Sequence, residues 1–426
     1  MNARRTRAGT LAALLAIGVP SGVAPAPAAD GPAFDAWLAG FRPRVLARGV
    51  SAATFDRVAA GLAPDPRVLD EVRNQPEFRE ELWQYLNRRV SEWRLVTGKE
   101  KAGEHAELLA RIERDYGVPP AVLLGLWGIE SAYGDPIVQK NHARPVVPAL
   151  ATLAWREPRR RDYWARELVN TFVIVERGWA APHDLRGSWA GAMGHTQWMP
   201  DTWLTLGIDY DGDGRVSPFG SPADALGSSA RFLVRRGHYR RGEPWGTEVR
   251  LPTGMRERDG SQSYRAWAKA GISRADGTPF PRPDATARLW IPVAGGPAFL
   301  LEPNFYAVRS YNPSSNYTLA VLHLGDRVLG GAPFVQAFPG SERPPTLAEL
   351  QEIQRRLTAL GYDTGGVDGR VGNQTRLAAR RFQQHIGVTP ADGYAGVTLL
   401  AKLRAAEQPA APQRRGPLGD GREAAT

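Results

Sequence analysis

The stretch Pro119-Pro120-Ala121-Val122-Leu123-Leu124-Gly125-Leu126-Trp127-Gly128-Ile129-Glu130-Ser131-Ala132-Tyr133-Gly134-Asp135-Pro136 carries a carboxyl group among apolar neighbours. The two leading prolines suit a first helical turn, where a fixed φ helps and a missing N–H is no loss. Gly134 and Pro136 predict the stop, with glycine in a left-handed position past the helix and proline barring its continuation. Val122, Leu126, Ile129 and Tyr133 recur at helical spacing and predict one buried face. Glu130 falls at the edge of that face, one turn beyond Leu126 and Trp127. Desolvation there disfavours the charged form and raises the pKa, and a carboxyl still protonated near neutrality can act as a general acid. Taken alone, the spacing fits equally a glutamate on the exposed edge of an ordinary helix.

Three further stretches bear on that choice. In Gly187-Ser188-Trp189-Ala190-Gly191-Ala192-Met193-Gly194-His195-Thr196-Gln197-Trp198-Met199-Pro200, small residues let backbone approach a ligand. Ser188 and Gln197 offer hydrogen bonds and Trp198 a flat apolar surface, a combination that suits sugars, apolar on their faces and hydroxyl-rich at their edges. A tightly packed turn has the same composition. Asp209-Tyr210-Asp211-Gly212-Asp213-Gly214-Arg215-Val216-Ser217 matches the first half of an EF-hand loop, with alternating carboxylates, a glycine at the sharp turn and a backbone carbonyl at Arg215. The twelfth place is Gly220 rather than glutamate, and Asp224 is the later residue able to close the site. Without a cation the stretch is a solvated acidic turn. Tyr311-Asn312-Pro313-Ser314-Ser315-Asn316-Tyr317 is, by itself, a turn with two tyrosines and two amides.

The elements that must position these residues read as mainly helical. Phe34/Trp37/Leu38/Phe41 and Phe78/Leu82/Tyr85/Leu86 have helical spacing, and Pro64, Pro66 and Pro76 divide the region to Val96 into short pieces. Helices are predicted at Leu108–Tyr116, around Leu168, Phe172 and Val175, and at Ala223–Leu233. From Gly242 to Pro303 proline, glycine and β-branched residues predict strands and loops. Prolines 333, 339, 344 and 345 mark a linker. Beyond it Thr346 and Glu349 form a capping box ahead of Leu347, Leu350, Ile353, Leu357 and Leu360. Asp368-Gly369 and Asp392-Gly393 are turns around a helix bearing Leu377, Phe382 and Ile386, and a third helix carries Leu399, Leu400 and Leu403. No tandem repeat is evident.

Composition narrows the setting. A chain of 426 residues allows two or three domains, and 42% hydrophobic content with 13 tryptophans provides for substantial cores. Arg4, Arg5 and Arg7, the apolar run Leu11–Val19 and Ala26-Pro27-Ala28 read as a secretory leader, too short for a membrane span. The absence of cysteine removes disulfides, thiolate metal sites, cysteine nucleophiles and a lipid-modified cysteine. The expected location is therefore soluble and exported, most simply a bacterial periplasm. The formal charge of +10, mostly arginine, fits an anionic polymer such as the cell wall, and export disfavours nucleic acid.

Together, Gly128-Ile129-Glu130-Ser131 with Tyr133-Gly134, the Ser188–Pro200 motif, the acidic loop, and Tyr311-Asn312 with Ser314 and Tyr317 resemble, in type and order, the B family of lytic murein transglycosylases. The resemblance spans about residues 34–335. It implies a lysozyme-like catalytic domain with an additional helical region and minor β structure. The C-terminal module is similar to the three-helix peptidoglycan-binding domain through Leu350-Gln351, Gln354, Leu360-Gly361-Tyr362, Val367-Asp368-Gly369 and Phe382-Gln383. The implied organisation is a leader at 1–28, a catalytic region at 30–335, a linker at 336–345, a binding domain at 346–405 and a disordered tail at 406–426.

Position by position, the resemblance implies that Glu130 is the catalytic acid. Ser188 and Asn312 would surround the muramyl residue, Gln197 would contact the groove, Arg159, Arg160 and Tyr163 would line its peptide and glycan walls, and Tyr311 and Tyr317 would form aromatic walls. Asp209, Asp211, Asp213, Arg215 and Asp224 would hold a structural calcium, and no cofactor is implied for the chemistry. Phe232 stands where a family tyrosine is expected. Conventional glycosidases use two carboxylates, but only Glu130 lies in a motif built for chemistry, since Asp135 and Asp201 have local helix-end or turn roles. The implied reaction cleaves the β-1,4 bond between N-acetylmuramic acid and N-acetylglucosamine and leaves a 1,6-anhydro end. The competing readings are a hydrolytic muramidase and a non-catalytic wall-binding scaffold.

Overall fold

The structure is a computed structural model that describes residues 31–73, 80–136, 138, 143–257 and 259–406. The leader and the tail from residue 407 lie outside the described residues. Two compact units result. The first holds the described residues to Ser341 except Glu80 and Ser91–Trp93, and these group with the second, which runs from Glu342.

The first unit is mostly helical. Its helices are α1 (Gly31–Leu46), α2 (Ala52–Ala59), α3 (Pro66–Arg73), α4 (Leu82–Arg89), α5 (Glu92–Glu104), α6 (Ala106–Tyr116) and α7 (Pro120–Ser131). After the short strand β1 (Arg144–Pro145) come α8 (Val146–Arg156) and α9 (Arg161–Glu176). Then follow β2 (Arg186–Gly187), α10 (Pro200–Leu206) and α11 (Pro222–Arg235). Residues 246–301 contribute β3 (Gly246–Arg250), β4 (Gln262–Ser263), α12 (Tyr264–Lys269), β5 (Ser273–Arg274), β6 (Thr286–Trp290) and β7 (Ala298–Leu301). These strands form one antiparallel sheet in the order β4-β6-β7-β3-β5. The fully buried β7 leads straight into α13 (Pro303–Arg309), and a short turn then opens α14 (Ser315–Val328). Among the described residues no helix is long and apolar enough to cross a membrane.

The centre of this unit is the pairing of α7 with α14. The contacts run antiparallel: Ala121 meets Gly325, Gly125 meets Val321, and Glu130 meets Tyr317. A Cβ on Gly125 would lie 2.0 Å from the Val321 carbonyl oxygen, and one on Gly325 would lie 1.9 Å from that of Ala121. Both helices therefore touch backbone to backbone, an approach that only glycine permits. The expectation of one buried face on α7 is too modest. Val122 through Ile129 are all buried, because α6, α11 and α14 pack around the helix and Arg89 of α4 reaches the Ile129 carbonyl.

The end of α7 also differs from expectation. The helix stops at Ser131, and Ala132 (φ 52°), Tyr133 (φ 62°) and Gly134 (φ 75°) follow in left-handed conformations. Gly134 is thus not the first residue past the helix, and Tyr133 is buried without being helical. Two consecutive non-glycine residues in this region are strained. The Ser131 hydroxyl holds the turn by accepting from the Gly134 N–H at 2.9 Å.

The second unit contains α15 (Leu347–Ala359), α16 (Asn373–His385) and α17 (Val397–Ala406) around Ile353, Leu357, Phe382, Leu400 and Leu403. The Thr346/Glu349 capping box is present. Leu360, Leu377 and Ile386, read as core from their spacing, are instead exposed. A device absent from the sequence reading repeats here. Gln354 donates to Asp368 Oδ1 at 2.9 Å and accepts from the Gly369 N–H at 2.7 Å, and Gln383 makes the same pair with Asp392 and Gly393, each at 2.7 Å. Each buried glutamine thereby holds one Asp-Gly turn.

Candidate active site

Glu130 lies on the last turn of α7. Its Oε1 accepts a short hydrogen bond from the Tyr317 hydroxyl. Ser314 caps α14 by accepting from the Tyr317 N–H at 3.2 Å, which fixes Tyr317 on the first helical turn, facing α7. Burial raises the Glu130 pKa to about 7, while the Tyr317 hydrogen bond and the Arg89 charge on α4 pull the other way. Among the described residues, no carboxylate is among the groups that act on Glu130. Desolvation wins because two weaker opposing effects do not restore the hydration lost by the charged form.

The Ser188–Pro200 motif closes against this helix as a set of tight turns. Met193 and Trp198 exchange backbone hydrogen bonds of 2.9 and 2.8 Å. Gly194, at φ 73°, is required because a Cβ would lie 2.1 Å from the Pro218 carbonyl oxygen. Ser131 Oγ donates to the His195 carbonyl at 2.6 Å, and Trp127 Nε1 donates to His195 Nδ1 at 3.1 Å. The Tyr311 hydroxyl donates to the Thr196 carbonyl at 2.7 Å, and burial first, then the charge of Glu130, raises the Tyr311 pKa. Glu130, Tyr311, Tyr317 and the 194–197 turn therefore form one site.

The remaining expected residues fall around or beyond it. Ser188 Oγ accepts from the Ala192 N–H at 3.1 Å, and the half-buried Gln197 bonds the Gly194 carbonyl at 3.0 Å while holding a left-handed backbone (φ 53°). Asn312 Oδ1 accepts from the Ser314 N–H at 3.2 Å, so it shapes the turn into α14. Arg159, Arg160 and Tyr163 gather at the start of α9. Glu157 accepts from the N–H groups of Arg159 and Arg160, and the Arg160 guanidinium lies 4.3 Å from the Tyr163 ring centre. Trp198 is not a sugar platform, because it is 1% exposed and packs in the core beside α9, whereas Trp189 is half-buried. Phe232 packs edge-on against Tyr311 at 4.9 Å, supporting it by contact rather than by a hydroxyl. Arg89 and His195 escaped the sequence reading. Arg89 lies on a different helix, and the partners of the His195 ring, Trp127 and Gly220, lie in other stretches of the chain.

The acidic loop is ordered by its own backbone. Asp209 accepts from the N–H groups of Gly212, Asp213 and Gly214, and Asp213 from that of Arg215. Asp209, Asp211 and Asp213 each offer a carboxylate oxygen within 4.8 Å of the others. Asp224, buried on α11, accepts from Tyr210 N–H at 2.6 Å and Ser217 N–H at 2.9 Å, tying the two ends of the loop together. Three exposed carboxylates this close repel one another, and an oxygen-only donor set fits a hard divalent cation.

A family profile described as a transglycosylase SLT domain matches residues 33–326, and a peptidoglycan binding domain profile matches residues 346–403. The chain belongs to the transglycosylase SLT family. Its fold matches SltB3 from Pseudomonas aeruginosa in complex with NAG-anhNAM-pentapeptide at a TM-score of 0.68 and 39% identity, over 87% of this chain and 99% of that one. It also matches the Escherichia coli lytic transglycosylase Slt35 in complex with calcium at a TM-score of 0.59 and 25% identity, over 68% of this chain and 92% of that one. The membrane-bound lytic murein transglycosylase B of Escherichia coli is 32% identical over 231 residues, which span 53% of this chain and 61% of that relative. This SLT-family chain thus presents a lysozyme-like, mostly helical domain followed by a separate helical binding module.

Proposed function

We propose that this protein is a periplasmic lytic transglycosylase that cleaves peptidoglycan between N-acetylmuramic acid and N-acetylglucosamine, with Glu130 as its acid and then its base. The observation that carries this reading is a buried carboxyl, raised to about 7, held by Tyr317 beside the 194–197 turn. Protonated Glu130 donates to the glycosidic oxygen as the C1–O bond breaks, and the 2-acetamido carbonyl of the sugar stabilises the oxocarbenium-like centre. The Glu130 carboxylate then takes the C6 hydroxyl proton as that oxygen bonds to C1. The product is a 1,6-anhydromuramic end, and no water is consumed. One carboxyl suffices because the substrate supplies its own nucleophile. Ser188, Gln197 and Asn312 bind the sugar edges, Arg159, Arg160 and Tyr163 the outer groove, and the second unit retains the protein on the polymer. Mass spectrometry of digested sacculi tests this reading. Anhydro ends are expected, whereas reducing ends would assign a hydrolytic muramidase and intact sacculi a non-catalytic binder.

Calcium is proposed as a structural ion held by Asp209, Asp211, Asp213, the Arg215 carbonyl and Asp224. It would neutralise the carboxylate cluster and takes no part in the chemistry. At a hundredfold excess over Kd, binding adds about 2.7 kcal/mol of stability. Chelator-treated protein should therefore melt several degrees lower than protein in millimolar calcium, and identical melting curves would remove the site.

A further inference from the structure

His195 has no part in the acid–base scheme, yet both of its ring nitrogens are engaged. It is 7% exposed, with Trp127 Nε1 at 3.1 Å from Nδ1 and the Gly220 carbonyl at 2.8 Å from Nε2. An indole N–H only donates and a carbonyl oxygen only accepts. The imidazole is therefore neutral, with Nδ1 as acceptor and the proton on Nε2. Burial lowers its pKa, and the nearby charges of His105 and Lys101 act in the same direction against the Gly220 hydrogen bond.

The His195 backbone is tied on both sides as well. Its N–H donates to the Pro218 carbonyl at 2.9 Å, and its carbonyl accepts from Ser131 Oγ, on the residue after Glu130. The next carbonyl, of Thr196, receives the Tyr311 hydroxyl. One residue thus joins the last turn of α7 to the 218–220 segment at the exit of the acidic loop.

We propose that His195 is a positioning residue for Glu130, a neutral imidazole of fixed tautomer that clamps the end of α7 and keeps its carboxyl oriented and dry. The inference deepens the proposed function and rests on Glu130 as its acid, but its structural half can be read without turnover. The turn after α7 passes through two left-handed non-glycine residues, Ala132 and Tyr133. Such a turn persists only where its surroundings over-determine it. Without the Trp127–His195–Gly220 bridge, the end of α7 relaxes and water reaches Glu130. Among the described residues, the titratable groups coupled to Glu130 are Tyr317 from α14, Arg89 from α4 and Tyr311 from the turn before α14, and the His195 ring bonds Trp127 and Gly220 rather than any of the three. Phenylalanine fills the space but makes neither bond. Glutamine can accept from Trp127 and donate to Gly220.

The test is a carboxyl-carbon NMR titration of Glu130 in the full chain, assigned with Glu130→Gln, for wild type, His195→Phe and His195→Gln. His195→Phe should lower the Glu130 midpoint by about one unit or more, toward an ordinary glutamate. It should also reduce kcat on sacculi about tenfold or more with KM nearly retained. His195→Gln should restore both in large part. A folded His195→Phe protein with the wild-type midpoint overturns the proposal, as do equal losses in the two variants. If His195→Phe does not fold, His195→Asn, too short to span both partners, takes its place with the same expected and overturning results. A wild type that leaves sacculi intact while the midpoints shift as expected would sink the proposed reaction and keep the positioning role.

Discussion

Glu130→Gln is expected to abolish release of anhydro products while leaving the fold and sacculus binding intact. General acid–base catalysis contributes about 10² to 10⁴ in rate. Here one group serves both steps, so a loss of about 10³-fold or more is expected. The pH dependence has a definite sign, because Glu130 must be protonated to begin and its pKa is raised to about 7. The wild-type rate should fall as pH rises through about 7. Stability follows the same group. The folded pKa lies above the ordinary glutamate value of 4.5, so the folded state binds a proton that the unfolded state has released between those pH values. This contribution is fully present below about 4.5 and is lost as pH rises through about 7, amounting to about 3 kcal/mol. Glu130→Gln should therefore be more stable than wild type at pH 8, with the gap closing at pH 4. Glu167, also buried and raised to about 7, keeps its own dependence in both proteins. Residual cleavage near the wild-type rate would remove Glu130 from its role, and melting curves with no pH-dependent gap would show that its carboxyl is not desolvated.

The second large effect lies where the two central helices touch. Gly325→Ala places a Cβ 1.9 Å from the Ala121 carbonyl oxygen, a backbone atom that cannot rotate aside. Overpacking typically costs about 1–3 kcal/mol where side chains can yield. With backbone on the opposing side a loss of more than about 3 kcal/mol is expected, read as a lower melting temperature. Separating α14 from α7 also carries the Tyr317 hydroxyl away from Glu130, so activity should fall even below the melting transition. Gly330→Ala is the control, since a Cβ there meets nothing within 4 Å and the change strains only its own left-handed backbone. A Gly325→Ala protein with the wild-type melting temperature would overturn the close-contact reading of the two helices.

Much of this is legible in the sequence. Prolines placed the start of α7, the Thr346/Glu349 pair placed that of α15, and the Asp209–Arg215 spacing described a loop whose carboxylates do converge. These are local signals, carried by neighbouring residues and by backbone rules that act over one turn of chain. Periodicity was less faithful. It assigned one buried face to a helix buried on every side, and it buried Leu377 and Ile386, which face solvent. Spacing reports the preference of a segment for burial, not how many neighbours surround it. Glycines inside helical patterns were the overlooked signal, since Gly125 and Gly325 mark where two backbones meet.

The residues by themselves determined the chemistry on offer: one carboxyl in an apolar helix, sugar-compatible turns, an acidic loop and a separate module with its own core. The tertiary structure decided how that carboxyl is set. Tyr317, 187 residues away, reaches Glu130 because two glycines let α7 and α14 touch. His195 bridges Trp127 and Gly220 because turns tied together by the Gly194–Pro218 contact bring those groups to opposite sides of one ring. A pKa of about 7 comes from the packing of several distant segments around one group, and desolvation is a property of that enclosure rather than of any stretch of chain.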